Sequence, residues 1–388
     1  MIKYPIKKGY FEQMIEKTRI YFTMIEDKRC QCDVKHKLTD VLILVMFGVI
    51  CGLETSEKIV EYGKSKLKFL EQYFGITTIP SKSTLNRILG MIDGEAVGEI
   101  IVLIMREMIG IVGDIVAIDG KTICSTKRSA HKKTLHILTA MATGNGVTLG
   151  QLCVDEKTNE IPCILELLEI LDIRGKIVTA DAMHAQKKTV EVIIEKEGDY
   201  CIGLKGNQET FHEDIKLYFD DVLTSKALSD KETYTTAYTS EKNRDRYEKR
   251  TCYLLNDISW LDCKDDWAGL KSVFAVRREV IRNDIKTDEM SYYFSSLETT
   301  PKRFLEIVRE HWQIEVMHWM LDVVFDEDEC RFMSENAQKS LNSLRKFALA
   351  LHKNFKDKTN SKKAISQNMF ACLLNDNLLL QILSTFVS

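Results

Sequence analysis

Two aspartates each close an apolar run and open a polar turn. Asp119 ends Ile115-Val116-Ala117-Ile118 ahead of Gly120-Lys121, and Asp181 ends Ile177-Val178-Thr179-Ala180 ahead of Ala182-Met183-His184. A third carboxylate, Glu315, stands in His311-Trp312-Gln313-Ile314-Glu315, within a stretch whose spacing predicts a long helix. Carboxylates at the ends of neighbouring strands and on a covering helix can converge on one point. Three anions so placed repel one another unless a cation lies between them, and a hard divalent ion such as Mg²⁺ suits an all-oxygen set. The chemistry this favours is metal-dependent work on phosphodiesters rather than simple binding.

Each feature also has a plainer reading. Asp-Gly is a common strand-exit turn, so neither aspartate is diagnostic alone. Together they gain weight, because ligands gather at the carboxyl ends of strands in open α/β sheets. On the Glu315 helix, His311, Glu315, His318 and Asp322 share a polar stripe, and Ile314, Met317, Leu321 and Val324 an apolar one. A zinc site at His311, Glu315 and His318 is the rival reading of that stripe. Trp312 and Trp319 are read as base-stacking side chains or as core, with core expected for at least one.

The elements that must carry these residues follow from periodicity. Residues 1–108 read as a helical domain. Thr39-Asp40 is expected to cap a buried helix over Val41–Cys51, Thr55-Ser56-Glu57 to start the next, and Pro80-Ser81 to open one bearing Lys82 and Arg87. Such a unit suits DNA binding through a helix-turn-helix or plain helical packing. From Asp114 the pattern turns to strands at Ile115–Asp119, Leu135–Thr143 and Val147–Val154, with the turn Gly144-Asn145-Gly146 between the last two. A helix over Ile164–Leu171, a strand over Lys176–Ala180, a helix over Gln186–Glu197 and a strand over Tyr200–Leu204 come next. Residues 109–210 therefore form the first part of a mixed sheet covered by helices on both faces, as in ribonuclease-H-like folds. Residues 211–303 read as a polar, β-rich insertion with short strands at Thr251–Leu255, Ser272–Arg278 and Met290–Phe294. Residues 304–388 complete the core with the Glu315 helix, a charged loop over Lys353–Lys363 and a terminal helix over Leu378–Val387.

Composition bounds the rest. With 388 residues, 45% of them hydrophobic, the chain can bury a large core. Its eleven cysteines are scattered without a C-x-x-C pair, which fits reduced thiols in a cytosolic protein. No signal peptide or membrane span is expected: the start is polar, and the longest apolar run, Val41–Leu53, is too short to cross a bilayer. The net charge of −3 does not advertise a polyanionic partner, but Gly120–Val154 contains no acidic residue, and Lys121, Lys127, Arg128, Lys132 and Lys133 crowd behind Asp119. Candidate DNA contacts extend to Lys205, Asn207 and Gln208 after a strand, Arg246 and Arg250 in the charge-dense run 241–250, and His311 and Trp312 beside Glu315.

Several of these stretches together resemble one family. Asp119-Gly120-Lys121-Thr122, Asn159-Glu160-Ile161-Pro162, Thr179-Ala180-Asp181-Ala182, Asp199-Tyr200 through Asn207-Gln208, and His311-Trp312-Gln313-Ile314-Glu315 with His318-Trp319 and Phe325-Asp326-Glu327-Asp328 are similar to the ISAs1-family, H-repeat-associated transposases. The resemblance covers nearly the whole chain. Two departures stand out: only Val316-Met317 separates Glu315 from His318, and the tyrosine, arginine and lysine that the wider superfamily sets around its glutamate are Val308, His311 and Asp322 here.

The resemblance implies a DDE recombinase whose catalytic residues are Asp119, Asp181 and Glu315. These three would hold two Mg²⁺ ions (Mn²⁺ substituting), with Asp119 bridging both. Its partner would be double-stranded DNA, first terminal inverted repeats and then target DNA, worked on by a homodimer or larger assembly. A domesticated relative that only cuts, and a DNA-binding regulator with structural carboxylates, are the alternative readings.

Overall fold

The computed structural model describes residues 8–30, 32, 34–124, 134–154, 160–224, 233–243 and 245–384. The chain divides into two compact units. One comprises Met1–Val112, Gly120–Lys157 and Glu315–Ser388, and the other Gly113–Asp119 and Thr158–Ile314.

In the first unit, α1 (Lys8–Thr23), α2 (Leu38–Ile50), α3 (Ser56–Ser65), α4 (Leu67–Phe74), α5 (Lys82–Met91) and α6 (Gly94–Met108) form the expected N-terminal helical region. Every residue of α2 from Val41 to Ile50 is buried, so its apolar run is a core helix. Thr55 caps α3 by accepting from Lys58 N, and Ser81 caps α5 by accepting from Thr84 N, both as the sequence predicts. The cap of α2 differs. Its N-cap is Lys37, and Asp40, already in the first turn, accepts instead from Arg19 Nη1 at 2.9 Å.

α6 packs on α11 (Glu335–Thr359) at very close range, since a Cβ on Gly94 would lie 2.5 Å from the Asn336 carbonyl oxygen. α11 is buried along most of its length and also meets α2, α5, α12 (Ile365–Leu374) and α13 (Asp376–Ser384). It continues through Lys353 to Thr359, where Asn360 in the left-handed region ends it, so most of the expected charged loop is helix. The strands β2 (Leu135–Ala142) and β3 (Val147–Val154) pair antiparallel, and β2 is buried on both faces.

The second unit is built on parallel strands. β1 (Ile115–Ile123) begins here and pairs in parallel with β4 (Ile177–Ala180), which pairs in parallel with β5 (Asp199–Leu204). α7 (Glu160–Ile170) and α8 (Lys187–Glu195) connect and flank them; Pro162 lies in the first turn of α7, where its missing N–H costs nothing. The β-rich segment then adds β6 (Tyr234–Asn243), β7 (Arg246–Leu255), β8 (Ser272–Arg282) and β9 (Ile285–Ser295), with β9 antiparallel to β5. Strand order through the mixed sheet is β3-β2-β1-β4-β5-β9-β8-β7-β6.

Two features depart from expectation. The segment opens with a helix, α9 (Glu209–Thr224), anchored by buried Phe211, Ile215, Phe219 and Val222. Its strands are also ten or eleven residues long, because their outer halves are solvated hairpins whose charged side chains hide the alternation. Asn283 and Asp284, both at positive φ, make the tight β8–β9 turn.

α10 (Pro301–Phe325) is continuous, and its first turns lie on the sheet of this unit. Phe304, Leu305, Ile307 and Val308 pack with Ile115, Ile177 and Cys201 of the parallel strands and with Cys252, Leu254, Phe274 and Val276 of the hairpins. The Phe274 and Phe304 rings stack at 4.2 Å. No helix among the described residues is long and apolar enough to cross a membrane.

Candidate active site

The register of β1 against β4 sets Ile118 opposite Ala180, each one residue before an aspartate. Adjacent strands lie about 4.8 Å apart, and paired residues of parallel strands project to the same face. Asp181 keeps extended backbone (φ −65°, ψ 159°) before the chain turns, so the pairing of Ile118 with Ala180 brings Asp119 and Asp181 side by side. β4 ends there, but β1 runs on to Ile123, so the expected strand end and turn at Asp119 are corrected. Asp119 is half-buried, and the Asp181 side chain is 58% exposed.

The turn after Asp181 is held from several sides. Ala182–His184 forms a single 3₁₀ turn in which His184 N donates to Asp181 O at 2.9 Å. Asn207 Nδ2 donates to Ala182 O at 2.6 Å, and Gln208 Nε2 to Ala185 O at 2.8 Å. His184 is buried and its Nε2 lies 3.5 Å from the buried Glu160 carboxylate of α7.

His311 of α10 reaches the same place. Its Nδ1 bonds the Thr179 hydroxyl at 3.0 Å, and its Nε2 lies 3.5 Å from Asp181 Oδ1. The His311 ring holds the Asp181 carboxyl below its usual range; partial burial opposes this, and the Lys205 and His184 charges assist. Asp181 is therefore an ionised, partly accessible carboxylate fixed by an imidazole. Glu315 follows His311 by four residues in the same helix, one turn on and on the same face, and is half-buried.

Several residues expected to contact DNA are otherwise engaged. Lys121 is 11% exposed, and its ammonium lies between Asp322 and Glu327. Asn207 and Gln208 spend an amide donor each on backbone carbonyls, and His311 holds Asp181. Arg246 and Arg250 both pair with Glu248, as does Arg278 on the facing strand. Lys205 is exposed beside the turn. Trp312 and Trp319 are 47% and 57% exposed, so the expectation that one of them fills core is corrected: the apolar side of α10 is filled by Ile314, Met317 and Leu321. Lys127, Arg128, Lys132 and Lys133 lie outside the described residues, as does Asn159. Among the described residues, no group of three or more His, Cys, Asp and Glu side chains is gathered as metal ligands, neither the expected Asp119, Asp181 and Glu315 set nor the rival His311, Glu315 and His318 set.

A mixed sheet that sets two aspartates side by side on adjacent parallel strands offers a framework for catalysis, which the family has to specify. The family described as transposase DDE domain matches residues 111–351, and the family described as DDE_Tnp_1-associated matches residues 20–103. The chain belongs to the DDE transposases.

Its relatives specify the type. The H repeat-associated putative transposase YhhI of Escherichia coli strain K12 is 34% identical over 95% of this chain and 98% of its own length. The putative protein YbfL of the same strain is equally similar over the same shares. A solved structure titled as a cryo-EM structure of the piggyBac transposase synaptic complex with hairpin DNA aligns at a TM-score of 0.42 and 11% identity, over 97% of this chain and 80% of that one. The protein is an insertion-sequence transposase of the H repeat-associated, ISAs1 type.

Enzymes of this family depend on a divalent metal ion. The donor chemistry here fits one: Asp119 and Asp181 offer carboxylate oxygens from adjacent parallel strands, and His311 holds the Asp181 carboxyl below its usual range.

Proposed function

We propose that Asp119, Asp181 and Glu315 are the catalytic carboxylates of DNA strand cleavage and strand transfer. The observation that supports this reading is the parallel register that pairs Ile118 with Ala180, each one residue before an aspartate, at the point where β4 ends and β1 runs on. Glu315 would be the third donor, one turn beyond the histidine that touches Asp181. Two Mg²⁺ ions held by the three, with Mn²⁺ as a substitute, would supply Lewis acidity to the attacking and leaving oxygens.

The residues around them orient the reactants. His311, fixed by Thr179, sets the Asp181 carboxylate, while Asn207 and Gln208 hold the turn behind it. Lys205, whose charge acts on Asp181, and the exposed Trp312, three residues before Glu315, suit phosphate and base contacts. Arg246 and Arg250 share the single Glu248 with Arg278, which leaves that cluster net positive toward a backbone phosphate.

In the first step a water oxygen bonds to phosphorus at a terminal inverted repeat, and the P–O3′ bond breaks. In the second, the freed 3′ oxygen bonds to a target phosphorus and displaces that strand's 3′ oxygen. One phosphodiester replaces another, so neither ATP nor a covalent enzyme intermediate is needed. Pairing two ends calls for a dimer or larger assembly, acting in the cytoplasm on nucleoid DNA.

A labelled duplex carrying the element's end, incubated with Mg²⁺ and target plasmid, tests this directly. The wild-type chain should nick and join it. Asp119→Asn, Asp181→Asn and Glu315→Gln should each bind the duplex and do neither. Nicking by Asp119→Asn would remove the assignment.

A further inference from the structure

Lys121 is committed to a buried ion cluster in the first unit. Its Nζ lies 2.5 Å from Asp322 Oδ1 and 2.7 Å from Glu327 Oε2. Glu327, in the 3₁₀ turn after α10, is fully buried; its other oxygen accepts from Asn342 Nδ2 at 2.9 Å and lies 3.5 Å from Arg345 Nη1 of α11. Asp326, at φ 47°, makes the left-handed step that leads the chain into this turn. A second stitch lies alongside, where Cys124 N donates to Asp328 Oδ1 at 2.9 Å. The end of β1 is thus joined twice to the segment that ends α10.

Burying such charges yields little net stability compared with an apolar packing of the same volume. What the cluster supplies is a fixed register. Lys121 is two residues beyond Asp119, hence on the same face of β1 and about 7 Å along it. Asp322 is seven residues beyond Glu315, hence on the same face of α10 and about 10 Å along it.

We propose that Lys121, with Asp322 and Glu327, is a positioning clamp that fixes the end of β1 to the part of α10 that carries Glu315. This rests on the catalytic assignment above. Lys121 itself touches neither substrate nor metal.

The test uses the full chain with Mn²⁺ alone as probe, its affinity read by electron paramagnetic resonance, and with end-duplex affinity and thermal unfolding measured in parallel. Lys121→Met and Asp322→Asn should each weaken Mn²⁺ binding by about tenfold, as loss of an orienting partner does, while duplex affinity stays unchanged. Should Lys121→Met fail to fold, Asp322→Asn and the double variant Lys121→Met with Glu327→Gln carry the measurement. Unchanged Mn²⁺ affinity in these variants overturns the clamp, and duplex affinity falling in its place makes Lys121 a DNA contact. Asp119→Asn separates the two claims. If it loses Mn²⁺ and the clamp variants do not, only the clamp fails; if it keeps Mn²⁺, the site and the clamp fall together.

Discussion

At the scale of single residues, Asp181 stands at a strand exit with its local signature of an apolar run, a carboxylate and a turn, whereas Asp119-Gly120 resembles one but lies inside β1, whose pairing overrides the turn propensity of Asp-Gly. The role of His311 has no such signature. As one polar residue on a helical stripe it read as a DNA contact, and only the fold brings it to Thr179 and Asp181. A side chain's partner from another element leaves no mark on local periodicity, and the pairing of Lys121 with Asp322 and Glu327 is hidden in the sequence for the same reason. His311→Ala should therefore slow cutting by about tenfold through loss of an orienting partner, with end-duplex affinity unchanged. A gel-shift titration beside a single-turnover cleavage assay distinguishes this from a contact role, which would weaken both.

At the scale of elements, the inner strands were readable to within a few residues, since both faces are apolar and the runs are continuous. The hairpins β6–β9 looked shorter than they are, because only their inner ends pack on α10, while their outer halves mix charged residues with exposed apolar ones such as Ile281 and Ile285. α9 was overlooked although Phe211, Ile215, Phe219 and Val222 recur at helical spacing; the acidic residues between them made the stretch look like solvated coil.

The loop after β5 is the clearest case of polar residues acting on structure rather than on ligand. Asn207 and Gln208 brace the turn that follows Asp181, and each side-chain bond contributes about 1 kcal/mol. Asn207→Ala with Gln208→Ala should lower stability by about 2 kcal/mol in urea unfolding and reduce cutting, without weakening the hold on DNA. A loss confined to DNA affinity would return both residues to the phosphate-contact role.

At the scale of the whole molecule, neither compact unit is one contiguous stretch, and β1 and α10 each run from one into the other. Helical patterning did not reveal the charged interior of the first unit, because apolar spacing marks only apolar burial. Arg345 and Lys346 are buried on α11, and Lys346 donates to Thr139 and Gln151. Burial raises the Glu327 carboxyl, but Lys121 and Arg345 outweigh it and bring the group down to about 2. Glu327→Ala would leave those cations uncompensated, at a cost of about 3–5 kcal/mol readable in chemical unfolding.

Lys346 gives a pH signature of its own. Burial pulls its ammonium down to about 8, from about 10.4 in an unfolded chain. Between those values the unfolded state binds the extra proton, so the group's contribution to stability rises with pH through this window and is flat below it. The melting temperature of the wild type relative to Lys346→Met should therefore increase from about pH 8 to about pH 10. A constant or falling difference would contradict that burial effect.

The most direct test of the account is a change of ligand chemistry at the two neighbouring aspartates. Asp119→Cys and Asp181→Cys exchange a hard oxygen for a softer sulfur, which Mg²⁺ accepts poorly and Mn²⁺ accepts better. If these side chains hold the catalytic ions, both variants lose cleavage of the end duplex in Mg²⁺ and regain a measurable part of it in Mn²⁺. Full activity in Mg²⁺, or folded variants that stay inactive with both ions, would contradict the claim that Asp119 and Asp181 are the metal-holding pair.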